Sequence, residues 1–487
     1  SRKKVSRTQK WNRFQWPDWG RDPGKYFCPI QSLVRHMVDT LIEDVQVVRP
    51  TGLTSGAIAI ADGEIEAVGE GVAERFRAAA DDVVDGEGKH ALPGVVDVHN
   101  HLHDDELFPE GFDFGSGTAS AVAGGVTTVV ELPTQTPVTS PEAVREKREA
   151  CSALAHVDFG LVAGNFQDPD PDVEAILAAG VPEFKTFTAD PYLMDDKGIV
   201  TLMDRVGAAG GTVRVHSETQ GIMDHARAEI DGDDPEVYMD SRPIEAELDA
   251  IGRVGYFAEY ADCPVYVVHV SSGSGAREGA RFKVRAKVPM TLETCPHYLA
   301  FSEADVEEHG PFLKVNPSLK SSEEVERLWD AVADGTIDLI ASEHFPTYRT
   351  ERERGWENIW EPYAGLPGIE TTLEFMISEG VHEGRISWER LCELLCAAPA
   401  RKTGLYPQKG SLRPGTDGDV VLVEERSYTV SPDDLMFNGG WTPYEGREWT
   451  ARVDTVFSKG EIAAEDHEVH STRGDGEFLP RGPAAGG

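Results

Sequence analysis

Gly94-Val95-Val96-Asp97-Val98-His99-Asn100-His101 is an apolar run that ends in two histidines one residue apart. A short apolar run with little polar alternation fits a strand covered on both faces. On a strand, residues i and i+2 project to the same side, so His99 and His101 present two imidazoles together. Seven further runs follow: Val126 to Leu132, Val157 to Val162, Glu183 to Thr186, Thr212 to Val215, Val265 to Val268, Val288 to Leu292, and Ile337 to Ile340. Helical patterns separate them. Ser140-Pro141-Glu142 offers an N-cap with proline at N1, and Ser321-x-x-Glu324 fits a capping box. Eight strands alternating with helices predict an α/β fold of parallel βα units closed into a TIM (β/α)8 barrel; a doubly wound sheet is the competing outcome.

The residues that follow these runs are polar. Run one ends in His99-Asn100-His101, run four contains Lys185, run five ends in His216, run six in His269, and Glu343-His344 follow run eight. In a TIM barrel all of these positions open on one face, so scattered segments become one site. Four strand-end histidines and an acid are the donor set of a divalent metal centre, whereas any single histidine is more simply a packed core residue. Lys185 has two readings here. It is a structural lysine turned away from the cations, or its amine has reacted with CO2 to give a carbamate that bridges two ions.

Either side of the barrel lie short β segments. Val45 to Val48, Ala57 to Ile60 and Ile65 to Val68 are separated by Gly52 and Asp62-Gly63, and Asp419 to Val423 and Arg452 to Ser458 recur near the other end. They predict a small composite β-sandwich built from both chain ends. The divisions are 1–36, an N-terminal extension; 37–91 and 406–464, the two parts of the sandwich; 92–405, the barrel; and 465–487, a polar, Gly/Pro-rich flexible tail. Residues 1–36 carry nine Lys/Arg and two Asp/Glu, opposite in sign to a whole chain of net charge −39.

That acidity argues against nucleic acid or an anionic membrane as a partner. With 40% hydrophobic residues and no membrane-length apolar run, the expectation is a cytoplasmic protein acting on a small molecule, assembled as a homo-oligomer (dimer or tetramer). Six cysteines without a CxxC pair suit a reducing compartment.

Leu92-Pro93-Gly94-Val95-Val96-Asp97-Val98-His99-Asn100-His101 resembles the first-strand signature of the cyclic amidohydrolases, the group of dihydroorotase, allantoinase and hydantoinase/dihydropyrimidinase. The likeness continues through Gly117-Thr118-Ala119, Ala123-Gly124-Gly125-Val126-Thr127-Thr128, Phe184-Lys185, Val215-His216-Ser217-Glu218 and Val268-His269-Val270-Ser271. It then covers Cys295-Pro296-His297-Tyr298-Leu299, Lys314-Val315-Asn316-Pro317, Ser342-Glu343-His344, Gly365-Leu366-Pro367-Gly368 and Gly415-Thr416-Asp417-Gly418-Asp419. The resemblance implies two divalent ions, zinc first and cobalt, manganese or nickel as alternatives. It places His99, His101 and Glu343 on one ion, His216 and His269 on the other, and N6-carboxylysine at Lys185 between them. It also implies that a metal-bridging hydroxide attacks the amide carbon while Glu343 moves the proton to the leaving nitrogen.

Three departures from the family pattern narrow the substrate. Glu343 stands where the family has an aspartate. Leu102-His103-Asp104 stand where dihydroorotases have a carboxylate-binding arginine. Asp190 stands where hydantoinases have an oxyanion-binding tyrosine, with Tyr192 as its substitute. The expected function is hydrolysis of a C–N bond in a cyclic ureide or imide, as in allantoinase or hydantoinase. Alternatives are a non-cyclic amide, carbamate or thiocarbamate, as in molinate hydrolase-like members, and a non-catalytic scaffold, which the retained ligand set disfavours. Asp190, Tyr192, Asn316 and His344 are candidate substrate-binding residues; His103, His297 and Tyr298 have equal claims as packing residues.

Overall fold

The computed structural model describes residues 38–102, 111–134, 136–166, 170–285 and 287–482; the expected extension 1–36 and His103 lie outside the described residues. Five strands come first: β1 (Val38–Arg49), β2 (Gly52–Ala61), β3 (Glu64–Gly69), β4 (Ala80–Asp85) and β5 (His90–Pro93). β1, β2 and β3 form an antiparallel meander, and β4 and β5 pair parallel to β1. The β2–β3 turn is Asp62-Gly63, with φ of 50° and 80°. Positive φ at both turn residues is the two-residue hairpin geometry that Asp-Gly favours.

Nine parallel segments follow: β6 (Val95–Asn100), β7 (Val126–Glu131), β8 (Asp158–Leu161), β9 (Ala163–Gly164), β10 (Glu183–Phe187), β11 (Thr212–His216), β12 (Val265–Val267), β13 (Met290–Thr294) and β14 (Leu339–Ile340). They pair in parallel in the orders β6-β7-β8 and β9-β10-β11-β12-β13-β14. Only Val162 separates β8 from β9. The chain just past β14 returns to β6: Asn100 and His344 form a parallel bridge, Glu343 N–H donates to the His99 carbonyl at 2.8 Å, and His101 N–H donates to the His344 carbonyl at 2.9 Å. These segments match the eight runs in order. The seventh starts at Met290 rather than Val288, because Pro289 has no N–H to give to a ladder.

Nearly every residue of these strands is buried, which is why they read as apolar runs without alternation. The helix Pro141–Ser152 starts as expected, with the Ser140 side chain accepting from Ala143 N–H. The capping box at Ser321 is one-sided. Ser321 accepts from Glu324 N–H, but the Glu324 carboxylate takes the N–H and hydroxyl of Ser274 and the Arg327 guanidinium instead of returning to the Ser321 N–H.

β15 (Val420–Thr429), β16 (Glu448–Ser458), β17 (Glu461–Glu465) and β18 (Glu468–Val469) pair antiparallel, and β15 joins β5. Both chain regions therefore share one nine-stranded sheet. It bends back on itself, since Gly418 N–H donates to the Gly63 carbonyl and Gly460 N–H to the Gly418 carbonyl. The bend encloses an apolar cluster that includes Ile42, Ile58, Ile60, Leu422 and Phe457.

Residues 465–482 are not the expected flexible tail. β18 continues the sheet, and Phe159 and residues 477–479 exchange backbone hydrogen bonds of 2.9 and 2.7 Å. Phe478 packs on Phe159, with ring centroids 5.6 Å apart. Arg481, 3% exposed, pairs with Glu183 at the start of β10 and donates to the Leu161 carbonyl. A polar composition hides this docking because backbone hydrogen bonds, one aromatic ring and one buried ion pair carry it, rather than an apolar run. Among the described residues, no helix is long and apolar enough to cross a membrane.

Candidate metal centre and active site

A pocket of about 190 Å³ opens where the parallel strands end, and His99, His101, Lys185, His216, His269 and Glu343 all line it. Their positions follow from the strands: His99 is the penultimate residue of β6, Lys185 the middle of β10, His216 the last of β11, and His269 lies two residues beyond β12. The rings of His99 and His101 are 5.5 Å apart, those of His99 and His269 5.4 Å, and those of His216 and His269 4.7 Å.

Buried carboxylates hold these rings in place. Glu293, in β13, lies 2.5 Å from His99 Nδ1, and also accepts from the Tyr266 hydroxyl at 2.5 Å and from His269 N–H at 3.0 Å. With Nδ1 donating to Glu293, His99 keeps the lone pair of Nε2 for a cation. On the far side, His216 Nε2 lies 2.9 Å from Glu218, whose carboxylate also takes Arg242. Burial works against the charge of Glu218, but Arg242 and His216 outweigh it and hold its pKa at about 2. His216 then turns Nδ1 toward His269 Nε2, 2.9 Å away.

Burial pushes His99, His101 and His269 well below the usual histidine range, and the nearby Lys185 adds to the effect, so all three rings are neutral. Burial also brings Lys185 down to about 7, opposed by Glu293 and Glu343. Its side chain points into the pocket, which removes the reading of a lysine turned away. Gly164 makes room for it: a Cβ there would stand 3.0 Å from Lys185 Cβ and 2.8 Å from Pro133 Cγ. Lys185 Nζ and His101 Nδ1 are buried with no hydrogen-bond partner. Neutral imidazoles, a carboxylate and an unpaired amine facing one small pocket fit a pair of divalent cations.

Glu343 has φ of +48°, a left-handed conformation that a long side chain rarely adopts. Its neighbours impose it. Glu343 N–H and His101 N–H tie the segment to β6 on both sides, and Ser342 gives its N–H and hydroxyl to Asp97 at 2.8 and 2.7 Å. Strain of this kind costs on the order of 1–3 kcal/mol and persists where the surroundings over-determine it. Burial raises the Glu343 carboxyl well above the usual range, with Lys185 opposing. One oxygen lies 3.9 Å from His269 Nε2 and the other 3.4 Å from His297 Nε2.

Asp190, Tyr192 and Asn316 line the same pocket. His344 does not. Its Nδ1 accepts from the N–H groups of Gly368 and Ile369, and it lines a second cavity of about 320 Å³ with Leu102, Phe112 and Phe437. Consecutive side chains diverge at the twisted Glu343 backbone, so only the first reaches the site. Sequence reasoning missed the pocket walls Phe187 and Tyr363 and the supports Asp97 and Glu293, whereas Phe345, an aromatic of the loop after strand eight and so a candidate wall, does line the pocket. The two supports had a signal: each is an acid inside an otherwise buried strand.

The chain matches the amidohydrolase family over residues 90–463. It is 31% identical over 455 residues to L-hydantoinase of Paenarthrobacter aurescens, covering 91% of this chain and 98% of that one. It is 34% identical over 445 residues to allantoinase of Rubrobacter xylanophilus, covering 89% and 96%. Among solved structures, L-hydantoinase (dihydropyrimidinase) from Arthrobacter aurescens superposes with a TM-score of 0.87 at 30% identity, over 91% of this chain and all of that one.

Proposed function

The chain belongs to the amidohydrolase family, and from that premise we propose that its pocket hydrolyses a C–N bond of a cyclic ureide or imide, with a pair of divalent ions. The observation that carries this reading is the convergence of His99, His101, Lys185, His216, His269 and Glu343 on one pocket. His99, His101 and Glu343 would hold one ion and His216 and His269 the other, with Lys185, carboxylated, between them. The near-neutral pKa of Lys185 supports that modification, since only the free amine reacts with CO2. Imidazole and carboxylate donors suit zinc, with cobalt, manganese and nickel as alternatives. When bound, such a pair lowers the pKa of water toward neutrality and polarises the scissile carbonyl.

The chain's own residues supply the rest. Glu343 accepts the proton of the attacking water and returns it to the leaving nitrogen, which is too basic to depart as an anion. Tyr192 and Asn316 line the pocket where the ring carbonyls would lie, and Phe187, Phe345 and Tyr363 wall it against bulk solvent. Among the described residues, no lysine or arginine other than Lys185 lines it, which supports a neutral ring over dihydroorotate.

The same premise extends to the fold. Parallel pairing joined end to start by the Asn100–His344 bridge supports a TIM barrel over 92–405 with a composite β-sandwich from 37–91 and 406–464. Tyr260 and Val284, 83% and 87% exposed on adjoining helices, support a homo-oligomer.

The test is a substrate panel on purified enzyme: allantoin, hydantoin and its 5-substituted forms, dihydrouracil, dihydroorotate and a thiocarbamate, with metal content read by elemental analysis. Ring opening of a hydantoin, dihydrouracil or allantoin is expected. Turnover of the thiocarbamate alone would favour the non-cyclic reading, for which the exchange of aspartate for Glu343 speaks. A metal-free protein inert to the whole panel after reconstitution would leave the scaffold reading.

A further inference from the structure

Three ligand-type side chains meet beside the pocket. Cys295 Sγ lies 3.8 Å from Glu343 Oε2, and His297 Nε2 lies 3.4 Å from the same oxygen. The donor atoms of all three lie within 4.8 Å of one another. The backbone holds this triad in place. Cys295 follows β13 directly, and His297 stands in the short helix Pro296–Ala300. Tyr298 clamps that helix through its hydroxyl to the Pro317 carbonyl at 2.8 Å, and Trp329 Nε1 donates to the Leu299 carbonyl at 2.9 Å. His297, 2% exposed, has an Nε2 without a hydrogen-bond partner. A buried nitrogen left unpaired beside a carboxylate is a cost that a ligand would remove.

We propose that Cys295, His297 and Glu343 form an additional cation site, beside the paired-ion centre and sharing Glu343 with it, that takes a thiophilic divalent ion of the zinc or cadmium class and inhibits the enzyme when filled. A thiolate, an imidazole and a carboxylate are a three-residue set that such ions accept with one position left open, whereas magnesium or calcium would reject the sulfur. On binding, the Cys295 S–H bond breaks, a sulfur–metal bond forms, and the proton leaves to solvent. The route in is the pocket, since Glu343 belongs to both sites. Glu343 explains the inhibition: with Oε1 turned toward the paired centre and Oε2, beside Cys295 and His297, taken by this ion, no oxygen is left to carry a proton for the substrate. Cation binding rests only on the geometry of the triad, while the inhibition rests on the catalytic reading given above.

The experiment titrates the holoenzyme, with its own ions in place, with cadmium and follows thiolate-to-cadmium absorbance and turnover together. An absorbance band should grow to one added equivalent while activity falls in step. Cys295→Ser should remove the band and weaken the inhibition by about 100-fold, with basal turnover kept. His297→Gln, which leaves the thiol intact, should shift both curves to higher cadmium and serves if Cys295→Ser does not fold. Absence of a thiolate band at saturating cadmium, or a band unchanged in Cys295→Ser, overturns the site. A band that appears without any fall in turnover overturns the inhibition and the role of Glu343, while the cation site stands.

Discussion

His467 makes the stability of the protein depend on pH. It sits in the β17–β18 turn at φ of +64°, with Nδ1 3.3 Å from Glu370 and Nε2 3.0 Å from Glu374. Burial opposes its charge, but the hydrogen bonds to the two carboxylates outweigh burial and raise its pKa to about 9. An unfolded histidine titrates near 6.5, so the folded protein binds this proton more tightly. The stabilisation is therefore complete below about pH 6.5 and is lost as pH rises through about 9. A gap of roughly 2.5 units corresponds to about 3 kcal/mol. Urea unfolding of the wild type and His467→Gln from about pH 6 to about pH 10 tests this. The wild type should lose about 3 kcal/mol relative to the variant across that window. Parallel curves would refute the reasoning and leave the two pairs without a net contribution from the proton.

Other variants probe the site and its supports. Glu343→Gln should keep its metal content by elemental analysis yet lose about 10²–10⁴ in kcat, since an amide cannot accept the proton; full activity would remove Glu343 from the chemistry. Lys185→Ala should lose bound metal and activity together, and added short carboxylic acids should restore part of both; normal metal stoichiometry would count against a bridging role. Phe478→Ala should destabilise by about 3 kcal/mol, measured by denaturant midpoint, because a ring packed on Phe159 is lost. A neutral result there would return residues 465–482 to the status of a loose tail.

The strand ends were readable because strands covered on both faces leave apolar runs, and in five of the eight runs a histidine, lysine or acid at or near the end reaches the site. Glu293 was not readable in its role. It contacts His99 across 194 positions, a neighbour relation created only when β13 and β6 face the same interior. Nor could sequence separate Glu343 from His344, since adjacent residues differ in direction only through the left-handed turn that Asp97 and Ser342 enforce. The tail misled for a related reason. Composition weighs residues equally, whereas a few placed contacts hold that segment: His467 on Glu370 and Glu374, Phe478 on Phe159, Arg481 on Glu183 and a run of backbone hydrogen bonds.

The Arg481–Glu183 pair spans 298 positions. At roughly 5–20 residues per second, a ribosome makes Glu183 about 15–60 s before its partner exists. For most of that interval the strand that carries Lys185 starts with a carboxylate whose other partner, Arg214, 31 positions on, is already made while Arg481 is not. The pocket residues from His99 to Glu343 are thus all synthesised before the arginine that completes this pair.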